Sequence, residues 1–62
     1  MLLTVRETSE MLKVNRNKVY ELINSGLLPY LKLGSIKIRY ESLQEFLSKY
    51  EGCDIDSMIT KG

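Results

Sequence analysis

The stretch Thr4-Val-Arg-Glu-Thr-Ser-Glu-Met-Leu-Lys-Val-Asn-Arg-Asn-Lys-Val-Tyr-Glu-Leu-Ile-Asn-Ser-Gly26 decides how this chain folds. It opens on a capping-box pair. The Thr4 hydroxyl accepts from an early helical amide, and Glu7, three residues on, reaches back. Val5, Thr8, Met11 and Leu12 then recur at roughly helical spacing, which predicts a helix over residues 5–12. Thr8 and Ser9 give that helix a small, weakly apolar inner face. Lys13 and Val14 form a tight connection. Asn15 is a good N-cap, and Val19, Leu22 and Ile23 supply one buried stripe for a second helix over residues 16–24. Gly26 provides the left-handed stop. The stretch therefore reads as two short helices joined by a tight turn.

Working outward, Pro29 forbids helix just beyond that stop. Residues 30–40, Tyr-Leu-Lys-Leu-Gly-Ser-Ile-Lys-Ile-Arg-Tyr, alternate on both sides of Gly34-Ser35. A two-residue turn with glycine first matches a type II′ hairpin. That register pairs Leu33 with Ile36 and Leu31 with Ile38 on one face. On the other it pairs Lys32 with Lys37 and Tyr30 with Arg39, so the apolar pairs fall together. Leu43, Phe46, Leu47 and Tyr50 then repeat at helical spacing and predict a third helix over residues 41–50, ended by Gly52. In the tail, Ile55, Met58 and Ile59 share a helical face but are weakly capped. Such a segment suits a frayed turn, a partner-docking segment or a disordered end. The expected fold is α+β: a winged helix-turn-helix with two short helices, a two-stranded hairpin wing and a third helix. Residues 1–50 form the domain, and residues 51–62 form a C-terminal tail, flexible or partner-docking.

Composition narrows the function. Sixty-two residues hold one small domain, which buries only about 60% of the surface its unfolded chain exposes. Hydrophobic residues make up 44% and charged residues 27%, which is globular usage. The apolar runs are too short to span a membrane, and the first residues carry neither the basic start nor the apolar stretch of a signal peptide. Cys53 has no cysteine to pair with, and there is no histidine. A structural zinc site or a cysteine nucleophile with its base cannot be assembled from that set. The expectation is a binding module in a reducing cytoplasm, with no enzymatic activity, no metal and no cofactor.

Charge is unevenly divided. Residues 1–40 carry seven basic and three acidic side chains, whereas residues 41–62 carry two basic and five acidic. Such asymmetry suggests one face meant for an anion. In a winged helix-turn-helix the second helix enters the major groove of DNA. Opposite Val19, Leu22 and Ile23 that helix carries Asn17, Tyr20, Glu21 and Asn24, with Arg16 and Lys18 in its first turn. Asn can read adenine and Arg guanine, while Tyr and Lys suit phosphates. Glu21 would repel the backbone, and cytosine N4 is its natural base-edge partner. On the hairpin, Lys32 and Lys37 are expected directly opposite each other, a repulsive arrangement that Arg39 extends. An anionic partner explains that surface; protection of an exposed strand edge is the competing account. Ser35 sits at the wing tip.

The run Leu3-Thr4-Val5-x-Glu7…Leu12-x-Val14-Asn15-x-x-x-Val19-Tyr20-x-Leu22-Ile23-x-Ser25-Gly26-x-Leu28-Pro29 resembles the excisionase-type helix-turn-helix family. Lys32-Leu33-Gly34…Ile38-Arg39…Leu43-x-Glu45-Phe46-Leu47 continues the match, which covers residues 2–48. The family is distantly similar to the MerR-type winged helix. Its members are small bacterial DNA-binding proteins, many encoded on mobile elements. Its excisionases bind near the ends of an integrated element and help a recombinase remove it, without breaking DNA themselves. The resemblance puts recognition positions on Arg16, Asn17, Lys18, Tyr20 and Glu21, and the wing on residues 32–37. Two departures stand out: Thr8-Ser9 occupies the place of a common alanine pair, and the tip is Gly34-Ser35 where the family is often basic.

The resemblance implies a cytoplasmic, nucleoid-associated bacterial protein that binds and bends double-stranded DNA beside a recombinase or integrase. It would be a monomer in isolation, assembling cooperatively on DNA, with no membrane partner. Two alternatives stay open. One is a small transcriptional regulator of a mobile element. The other is a protein-interaction adaptor that docks through the acidic third helix and tail, where Glu41, Glu45, Glu51, Asp54 and Asp56 would face a basic neighbour.

Overall fold

A computed structural model describes residues 1–59. The chain runs β1 (Leu2–Thr4), α1 (Val5–Leu12), α2 (Arg16–Asn24), β2 (Leu31–Leu33), β3 (Ser35–Arg39), α3 (Tyr40–Lys49) and α4 (Ile55–Ile59). The α+β winged helix-turn-helix expected from the sequence is present, with a three-stranded antiparallel sheet in the order β1-β3-β2.

Local chemistry sets the helices. The Thr4 amide donates to Glu7 Oε1 at 2.9 Å, and the Glu7 amide donates to Thr4 Oγ1 at 3.0 Å, closing the capping box. At α2 the Lys18 amide donates to Asn15 Oδ1 at 2.9 Å. Both helices end in the same reversal. After α1 the amides of Lys13 and Val14 donate to the carbonyls of Glu10 and Ser9. After α2 the amides of Gly26 and Leu27 donate to those of Ile23 and Leu22. These are two Schellman motifs, each needing a left-handed residue. Gly26 supplies it at φ 84°, and Lys13, which carries a Cβ, is held there at φ 60°. Thr8 and Ser9 are buried, and their hydroxyls donate to the Thr4 and Arg6 carbonyls at 2.9 and 2.7 Å. Two hydroxyls can thus stand where alanines would also fit, because neither is left unsatisfied.

The sheet departs from the expected hairpin in two ways. First, it contains an additional strand, β1. This strand pairs Leu2 with Arg39, Leu3 with Ile38 and Thr4 with Lys37, so β3 is the central strand. Its ladder continues through the Tyr40 amide, which donates to the Met1 carbonyl at 2.9 Å. Second, the wing is one residue out of the expected register. Leu31 faces Lys37, Lys32 faces Ile36 and Leu33 faces Ser35, leaving Gly34 alone at the tip with φ 75°. A one-residue slip reverses the faces of β2. Leu31 and Leu33 therefore join Lys37 and Ser35 on the outer face and are 39% and 57% exposed. The physical reason is that every residue of β2 is exposed. Alternation fixes register only where one side is buried.

The core gathers Leu3 and Val5 with Val19, Leu22, Ile23, Leu28, Ile38, Leu43 and Phe46. β3 contributes the fully buried Ile38 and passes directly into α3, whose Leu43 and Phe46 close the other side. Leu47, expected in that buried stripe, is exposed; Tyr50 is half-buried and its ring lies 5.3 Å from that of Phe46. The tail segment turns back as α4, with Ile55 and Ile59 packed against the core. The remainder of the expected tail, residues 60–62, lies outside the described residues.

Candidate nucleic-acid interface

The outward face of α2 is set by its inward one. Val19, Leu22 and Ile23 are buried, so a 3.6-residue period turns Asn17, Tyr20, Glu21 and Asn24 away from the core; these four, and Arg16 in the first turn, are exposed. Asn15 caps the helix, so the N-terminal turn is pinned where backbone amides face outward. Two amides, a phenol and a guanidinium on one rigid helix make a surface able to read base edges and hold phosphates. Arg16 forms no ion pair with an acid among the described residues.

Lys18 is placed differently. It stands four residues before Leu22 and so borders the buried stripe. Its ammonium lies 2.7 Å from Asp56 of α4 and 3.2 Å from Glu21 on its own helix. The hydrogen bond to Asp56 and then that to Glu21 raise its pKa above the ordinary 10.5. The sequence pattern alone puts Lys18 among the outward contacts and leaves Asp56 for a basic neighbour; in the fold the two meet each other. The four-residue spacing to Leu22 is the available signal for the first; nothing in the sequence joins residues 18 and 56.

On the wing, β3 sends Ser35, Lys37 and Arg39 to the outer face by strict alternation. The Lys37 ammonium donates to Ser35 Oγ, and Arg39 lies 3.9 Å from Glu41. Lys32 shares a face with Ile36 and lies on the opposite side of the ribbon from Lys37. The direct lysine–lysine repulsion expected from the sequence is therefore absent, and with it the inference that an anion must relieve it. Arg39 faces Leu2, not Tyr30. Lys37 and Arg39 remain together as a basic pair flanked by exposed Leu2 and Leu31. The arrangement is thus two groups: the α2 face, and the outer face of β3.

Among the described residues no cluster of histidine, cysteine, aspartate and glutamate could hold a metal ion. No described helix is long and apolar enough to cross a membrane. A family model described as a helix-turn-helix domain matches residues 2–50. Neither curated proteins nor solved structures gave a match to the chain.

Proposed function

The chain belongs to the helix-turn-helix domain family, and on that premise we propose that it binds and bends duplex DNA beside a recombinase, helping to excise a mobile element. Helix-turn-helix domains are DNA-binding domains that lay their second helix in the major groove. The observation that carries the reading is the division of α2 into a buried stripe and an exposed polar face of Arg16, Asn17, Tyr20 and Asn24. In this role Asn17 and Arg16 read bases, while Tyr20, Lys37 and Arg39 hold phosphates and Ser35 stands beside the wing tip. Residues 1–50 serve as the DNA-binding domain and residues 51–62 as an appended tail. The protein performs no catalytic step of its own and works in the bacterial cytoplasm on the nucleoid.

Size supports an accessory role. A single module of this kind contacts DNA over roughly 600–1,000 Å², little for a lone repressor facing a genome of competing sites. Adjacent copies on DNA and contact with a recombinase supply the remaining affinity. Bending a site of 20–30 bp costs on the order of 1–6 kcal/mol, which those contacts must offset. The adaptor alternative loses ground because Ile55 and Ile59, the tail's apolar face, pack on the protein's own core.

A circular-permutation gel with element-end DNA is expected to show a bent complex, and recombinase is expected to bind more tightly when the protein is present. An unbent complex with no gain in recombinase affinity, together with repression of a nearby promoter, would identify a transcriptional regulator instead.

A further inference from the structure

We infer that α4 is an intrachain latch: it holds Lys18 in the place a DNA phosphate would take, and must lift before that lysine joins the duplex. The inference rests on the DNA-binding reading above. Three observations carry it. Lys18 belongs to the first turn of α2, the end of a recognition helix that meets DNA. Its ammonium is turned onto Asp56, 38 positions away in the chain, at 2.7 Å. The Asp56 carboxylate is exposed beside that ammonium, so with α4 closed a phosphate approaching Lys18 meets a like charge.

The seat of α4 is built to be reversible. The helix has five residues and none is buried, far below the length at which a helix holds itself in water. Its contacts with the body include the Lys18–Asp56 ion pair and Ile55 and Ile59 packed against the core, while the Ser57 hydroxyl donates to Asp54 at 3.0 Å within the segment itself. Between it and the body lies an open cavity of about 270 Å³, whose lining includes Leu12, Leu22, Phe46 and Leu47 together with Lys18, Ile55 and Asp56. An exposed ion pair contributes little and is weakened by salt, so a dense line of phosphates can displace it.

The test uses the full chain with Asp56→Asn and, as a control for general charge, Glu51→Gln, each titrated with element-end duplex at several salt concentrations. Asp56→Asn is expected to bind about two- to fivefold more tightly, the range of one exposed ion pair. Its log–log salt slope should match that of wild type, because Lys18 neutralises the same phosphate in both complexes. Glu51→Gln should change neither. In a Lys18→Gln background the Asp56→Asn gain should vanish. Amide exchange in residues 55–59 of the wild-type chain should speed up when duplex is added. The latch is overturned if Asp56→Asn and Glu51→Gln behave alike, if the gain survives Lys18→Gln, or if duplex leaves that exchange unchanged or slower. Absence of duplex binding by every form would overturn the DNA-binding reading and the latch with it.

Discussion

Residues 4–26 and residues 30–39 are both regularly patterned, but they are held in different ways. In the helix-turn-helix each boundary is fixed by partners three to five positions away: Thr4 with Glu7, Asn15 with Lys18, Ser9 with Val14 and Leu22 with Leu27. In the wing the decisive partner is β1, more than thirty positions earlier, which pairs with β3 and leaves β2 as an exposed edge. The difference shows that regular alternation specifies a strand's faces only when something covers one of them.

The comparison breaks most sharply within the wing itself. Ile38, beside Leu3 of β1, is wholly buried in the core, so Ile38→Ala should lower unfolding free energy by about 2–5 kcal/mol. Leu31→Ala and Leu33→Ala should stay within about 0.5 kcal/mol of wild type, since both side chains face solvent. Urea denaturation of the three variants decides this, and a costly Leu33→Ala would restore the two-residue turn. Next in size is the cap of α2. Asn15→Ala removes the acceptor of the Lys18 amide and should lose about 1 kcal/mol in the same assay.

A smaller effect of opposite sign belongs to the turn. Lys13 stands in the left-handed region, where a side chain costs roughly 1–2 kcal/mol and glycine's extra chain entropy about 0.5–1 kcal/mol. Lys13→Gly should therefore stabilise the fold by about 0.5 kcal/mol, seen as a higher Tm; a lower Tm would show that the Lys13 side chain contributes packing. Smallest of all is Lys32→Ala. With Lys32 and Lys37 on opposite faces, it relieves no cross-strand repulsion and should leave stability unchanged within about 0.5 kcal/mol. A clear gain would mean that the two lysines meet after all.

These contrasts also explain what is legible in the sequence. Helix boundaries, the caps and Gly26 are readable because each is a short-range pairing of residue types. The inward stripe of α2, and hence the outward face with Arg16, Asn17, Tyr20 and Asn24, is readable from the same period. β1 is not, because a strand of three residues whose last, Thr4, is already the cap of α1 carries no alternation to recognise. The wing register misleads because Leu31 and Leu33 imitate a buried face that β2 does not have. Leu47 misleads in the same way: its spacing matches Leu43 and Phe46, but it emerges beside the open cavity near α4. The place of Lys18 depends on Asp56, and only the folded chain brings residues so distant together.

The tip of the wing has one further property. Gly34 is surrounded by open space, with no atom other than those of its chain neighbours within 4 Å of where a Cβ would sit. Nothing in the body of the protein limits how far the ribbon extends beyond that point. Two residues added to each strand preserve the facing of every existing side chain and lengthen the ribbon by about 7 Å, the rise of about two base pairs. Loop closure adds little to the free energy of such an insertion. The footprint on the duplex can thus be altered through the ribbon while the core and recognition helix stay as they are, which makes the wing an adjustable gauge on a fixed frame.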